Sequence, residues 1–138
     1  MIALNKAIVS RFSGDSMSNV FTGIYFMEAK PSAVYPYVVF SYPSQKHDLS
    51  FTQRFEEFLV QFDIFTDESS AEVYGEYYNL LVGDENLQTG FDYAEFDVEG
   101  YDLLGFERIN ILQSKFFEEN KSVVCITVTY KCLLEKQS

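Results

Sequence analysis

The sequence predicts an α+β fold, a mainly antiparallel β-sheet packed against two α-helices, and three observations predict it. Residues 55–66 and 123–134 alternate apolar and polar side chains with the two-residue period of a strand. Residues 3–12 and 70–82 instead repeat apolar residues at helical spacing. The chain also carries 14 Phe and 10 Tyr with no Trp, a balance that leans toward sheet. The 138 residues suit one domain, residues 1–138, with no internal repeat or linker.

The first helix, residues 3–12, sets Leu4, Ala7, Ile8 and Phe12 on one face, and Gly14 stands where a C-terminal cap belongs. A short strand follows at residues 23–27, then a loop at 28–35 with Pro31. Tyr35 precedes Pro36 and is therefore biased toward extended backbone. Residues 37–42 form a strand, and Pro43, which cannot donate to a ladder, is expected to end it. Residues 44–52 are polar and read as a loop or hairpin end.

Residues 55–66 give the clearest strand. Phe58, Val60, Phe62 and Ile64 make one apolar face, while Glu57, Leu59, Gln61, Asp63 and Phe65 make a mixed one. Asp67-Glu68-Ser69-Ser70 signals a helix start. The helix at 70–82 carries an apolar stripe of Val73, Tyr77, Leu80 and Leu81, and a second row of Tyr74 and Tyr78, before Gly83 ends it. Residues 93–101 alternate weakly and read as a strand, as do 103–115. Residues 116–122 are expected to turn, and the last strand puts Val124, Ile126, Val128, Tyr130 and Cys132 on one face. The element order is α-β-β-β-α-β-β-β.

Charge narrows the function. The net charge is −11 and the pI about 4.4, a field that repels nucleic acid and anionic membrane, and no basic stripe offsets it. The N-terminal residues lack a signal-peptide core, and no apolar run approaches a membrane span. Cys125 and Cys132 fall on opposite faces of one strand and cannot bridge within it; two free thiols suit a reducing compartment.

No catalytic constellation assembles. His47 is the single histidine and lies in a polar stretch without a nucleophile motif around it. The acidic pairs Glu56-Glu57, Asp67-Glu68 and Glu118-Glu119 sit at strand ends; neighbours within a strand face opposite sides and form no glycosidase pair. Asp84, Asn86, Gln88 and Glu95 fall at positions one, three, five and twelve of a calcium loop, but Thr89 stands where that loop needs glycine and Gly90 comes one residue late. A polar helix-to-strand connection is the simpler account. The glycines are dispersed, so no nucleotide cofactor is implied, and no metal or other cofactor is expected.

Aromatic residues beyond the needs of a core point to protein contacts. The candidate interface comprises Phe65 on the mixed face, the Tyr74/Tyr78 row, and the polar stretch Ser44, Gln45, Lys46, His47 and Asp48.

Several segments together resemble a known family. They are Gly23-Ile24-Tyr25, then Tyr35-Pro36-Tyr37-Val38-Val39-Phe40, then the strand from Leu59 to Asp67 stepping into Ala71-Glu72-Val73-Tyr74, and the long closing strand. In that order they resemble the small tail-completion or tail-terminator proteins of long, non-contractile-tailed phages and prophages. The acidic segment 84–102 is longer than the pattern has. The resemblance implies a non-enzymatic virion subunit, assembled in the bacterial host cytoplasm. It implies a homo-oligomer, a hexameric ring at the head-proximal end of the tail tube. Tail-tube and head–tail connector proteins would be its partners, and DNA would be passing cargo in the lumen. A head–tail connector or neck subunit, a free protein-binding module and, last, a small enzyme remain the alternatives.

Overall fold

The computed structural model describes residues 2–49, 54–68, 71–118 and 121–137, and the side chains of these except at 47–49, 71, 116–118 and 121. Helix α1 spans Ile2–Ser13 and buries Leu4, Ala7, Ile8 and Phe12, the face its periodicity predicts. Gly14 closes it with a backbone bond to the Ser10 carbonyl. A 3-10 turn at Ser16–Asn19 follows, capped by Asp15, whose carboxylate accepts the Met17 N–H at 3.0 Å.

Strands β1 (Ile24–Phe26), β2 (Tyr37–Leu49), β3 (Arg54–Thr66), β4 (Tyr101–Glu118) and β5 (Lys121–Lys136) form one sheet in the order β1-β2-β3-β5-β4. β1 runs parallel to β2, and every other pair is antiparallel. Helix α2 (Ala71–Val82) connects β3 to the segment before β4.

Three expectations need correction. Pro43 does not end β2. Ser41 pairs with Gln61 and Ser44 with Leu59, so Tyr42 and Pro43 together face Val60 in a β-bulge. A bulge leaves one residue unpaired, so a residue without an N–H costs the ladder nothing there. The polar stretch after it is therefore strand, through Leu49, and not a loop.

The stretch 93–101 forms no strand before Tyr101. Its Phe96 and Val98 serve the core instead, buried beside the preceding Phe91, and the backbone turns back on itself through Ala94 N–H to the Phe91 carbonyl and Tyr101 N–H to the Val98 carbonyl. The sheet thus has five strands where six were expected. The acidic turn at 116–122 is also shorter than expected. Strands β4 and β5 pair as far as Glu118↔Lys121, and Glu119 and Asn120 lie outside the described residues, as do Ser69 and Ser70 of the helix-start signal.

One face of the sheet holds the core. Phe58, Val60, Phe62 and Ile64 of β3 join Ile126, Val128, Tyr130, Cys132 and Leu134 of β5, all fully buried. Both helices and residues 91–98 bury their apolar side chains in this same cluster. Rings dominate it: Phe62 stacks on Phe91 at 4.2 Å and meets Tyr130 edge-on at 5.7 Å. Offset and edge-on contacts of this kind add about 0.5–1.5 kcal/mol each beyond area burial.

The end of α2 is fastened to α1 through two glycines. Gly83 (φ +99) and Gly90 (φ +77) adopt backbone conformations that L side chains rarely take, and they pack directly against each other. The loop between them returns to cap α2: Phe91 and Asp92 donate to the Leu81 and Val82 carbonyls at 2.8 and 3.0 Å, which the helix end leaves unpaired. The buried Asp15 carboxylate accepts the Gly90 N–H at 2.8 Å, while the Arg11 guanidinium binds the carbonyls of Gln88 and Gly90.

Candidate functional site

The predicted interface residues fall on three separate surfaces. Ser44, Gln45 and Lys46 lie on β2 beyond its bulge, paired with Leu59, Phe58 and Glu57 of β3. His47 and Asp48 continue this strand opposite Glu56 and Phe55, with side chains outside the described residues. β1 reaches only as far as Phe40 along β2, so residues 41–49 have no strand on their other side among the described residues. Their polar composition suits such an edge, where charged and polar side chains limit indiscriminate pairing.

Phe65 sits on the sheet face opposite the core. Its ring stacks on Tyr37 at 5.3 Å, Tyr37 stacks on Tyr35 at 5.4 Å, and Tyr25 meets Tyr37 edge-on at 6.0 Å. Farther along this face the half-buried Asp63 carboxylate accepts hydrogen bonds from Thr127 Oγ1 at 2.5 Å and Gln61 Nε2 at 3.0 Å. The face is apolar and aromatic at one end and polar at its centre, as the mixed pattern of β3 predicts.

Tyr74 and Tyr78 occupy the other side of the molecule, on α2. Their rings stack at 6.4 Å and pack partly against the core. Arg108 from β4 sits 5.5 Å from the centre of the Tyr78 ring, hydrogen-bonds its hydroxyl, and forms an ion pair with Asp92 at 3.3 Å. Asp92 in turn accepts the Tyr130 hydroxyl at 2.6 Å. Burial, then this bond to a carboxylate, pushes the Tyr130 hydroxyl well above its ordinary pKa. The network joins α2, β4, β5 and the 84–100 segment. It rigidifies that corner.

The two thiols are held in the protonated form. Burial pushes the Cys125 thiol up to about 11 and Cys132 up to about 12, so both stay protonated near neutrality, whereas the thiolate is the nucleophile. They are free and lie on opposite faces, as their spacing predicts. Among the described residues, no group of three His, Cys, Asp or Glu side chains could hold a metal ion. In the calcium-like stretch the Asp84 carboxylate accepts the Asn86 N–H at 2.7 Å. The Gly90 carbonyl, at position seven where a calcium loop lends a backbone oxygen, already accepts the Arg11 guanidinium at 2.8 Å; a protein cation sits where a metal would need that oxygen.

The fold has a close counterpart. No family model and no curated protein matches the chain. Among solved structures, a chain in the virion of a native gene transfer agent particle is similar, with a TM-score of 0.70 over 96% of this chain and 94% of that one, at 15% identity. The likeness spans nearly the whole of both chains and establishes the α+β architecture.

Two features of the sheet escaped the sequence reading. β4 is an edge strand of 18 residues, paired on one side only among the described residues. It bulges twice, at Leu104 and at Ile109, and both residues are exposed. At the opposite edge Phe26 and Met27 are exposed beside β1. No local pattern marks an edge strand, because edges are defined by the strand order, which long-range pairing decides.

Proposed function

We propose that this chain is a non-enzymatic virion structural subunit of the tail-completion or tail-terminator kind, forming a ring at the head-proximal end of a tail tube. The observation that carries the reading is the likeness, over 96% of this chain and 94% of the other, to a chain in a gene transfer agent virion. The order of segments in the sequence supports it independently. A net charge of −11 suits a subunit around a channel that DNA passes without sticking. In this role the chain binds copies of itself, most simply six, then tail-tube subunits on one side and head–tail connector proteins on the other, within a particle assembled in the host cytoplasm.

The test is electron microscopy of isolated tail tubes with and without the purified protein. The reading expects added density at one end of each tube and an end to further growth there. Binding to the head vertex with bare tubes would move the assignment to a connector or neck subunit. Binding to neither would overturn the virion reading.

A further inference from the structure

The two lateral edges of the sheet differ, and among the described residues each lacks a strand on its outer side. On one side stand residues 41–49 of β2 and the short β1; on the other stands β4. Each edge carries apolar side chains in solvent. Phe26 and Met27 at the β1 side, and Leu104, Ile109 and Leu112 on β4, are each 42–64% exposed. Met27 is presented by a strained backbone. Its φ is +70 and Glu28 N–H bonds the Phe26 carbonyl at 2.9 Å, a γ-turn around a residue with a side chain. Such turns are rare and cost on the order of 1–3 kcal/mol.

Charge is mixed on both edges and does not oppose their meeting. The β1–β2 side carries Glu28, Lys30 and Lys46, and β4 carries Asp102, Glu107, Arg108 and Lys115, all exposed.

From these features we infer that copies of this chain join head to tail, the β1–β2 edge of one docking on the β4 edge of the next to continue the sheet. The directions agree. β2 and β4 run antiparallel within one sheet, so rotating a second copy about an axis along the strands lays its β2 antiparallel to β4 of the first, the pairing that hydrogen-bonds most readily. The longest stretch of β4 without a bulge, residues 110–118, offers its backbone groups to residues 44–49 of β2. Two unlike patches cannot form a two-fold pair from one copy of each; they make a heterologous contact, which closes into a ring when its rotation fits. This inference rests on the proposed ring and names the surfaces that build it.

The experiment is light scattering on three proteins: the unaltered chain, Ile109→Glu/Leu112→Glu, and Met27→Glu/Lys46→Glu, with circular dichroism confirming that the exposed substitutions leave the fold intact. The expected result is an oligomer for the unaltered chain and a monomer for each variant. An equimolar mixture of the two variants should give a heterodimer and nothing larger, because one intact edge remains on each. Rings persisting in both variants would overturn the edge pairing and leave the ring itself standing. Variants that stay monomeric when mixed would overturn the head-to-tail geometry. An unaltered chain that is monomeric up to several hundred micromolar would overturn the self-docking, while capping of tail tubes would still report on the proposed function.

Discussion

Replacing Gly90 by alanine should be among the most damaging single-methyl changes available in this chain. A Cβ at Gly90 would lie 2.3 Å from Gly83 Cα, 2.4 Å from Gly83 N and 2.5 Å from the Val82 carbonyl carbon. All three are backbone atoms, so no rotamer change relieves the contact. The φ of +77 alone costs an L-residue about 1–2 kcal/mol. Separating the loop from α2 would then break the buried bond from Gly90 N–H to Asp15, and hydrogen bonds to charged groups are worth about 1.5–3 kcal/mol. The bonds that cap Leu81 and Val82 would weaken as well. The two quantified contributions give a loss of about 2.5–5 kcal/mol, against a total stability of about 5–15 kcal/mol for ordinary domains. Two controls isolate the causes. Gly100→Ala shares a positive φ of +84 but meets nothing within 4 Å, so it should cost only the conformational term of about 1–2 kcal/mol. Gly75→Ala, inside α2 with open space around it, should stabilise by about 0.5–1 kcal/mol. Urea denaturation followed by circular dichroism, with m-values compared, measures all three. A Gly90→Ala protein within 1 kcal/mol of Gly100→Ala would refute the close packing of the two glycines.

Stability should also fall in alkali, because Cys125, Cys132, Tyr42 and Tyr130 all have raised pKa values in the fold. The unfolded chain gives up these protons first, so the stabilisation is complete below the ordinary thiol pKa and is lost as pH rises through the folded values. Two thiols make the slope approach about 3 kcal/mol per pH unit near pH 10, and Cys132→Ala should reduce it by about 1.4 kcal/mol per unit in denaturant titrations at stepped pH. Tyr130→Phe keeps the ring stacked on Phe106 at 4.6 Å but removes the bond to Asp92. It should cost about 1.5–3 kcal/mol in the same titration at neutral pH, and an unchanged midpoint would refute the Arg108–Asp92–Tyr130 network.

The elements with a strong local period were legible from sequence. β3, β5 and the stripes of α1 and α2 bury the residues their alternation or helical spacing selects, because one face of each meets the single core. What stayed hidden depended on partners distant in sequence. Pro43 is a strong local stop signal, yet β2 bulges there against β3 and absorbs it. Phe96 and Val98 read as weak alternation because their burial is decided by packing against the core, not by a strand period. The candidate interface residues do not share one surface, since Phe65 and the Tyr74/Tyr78 row lie on opposite sides of the sheet. No spacing rule could reveal that before α2 was seen to cover the core face. The open edges followed only from the strand order.

Electron microscopy of the purified protein mixed with tail tubes tests the proposed ring. Closed rings with a central opening should sit at one end of each tube. Tubes whose two ends remain bare, with the protein free in solution beside them, would contradict it.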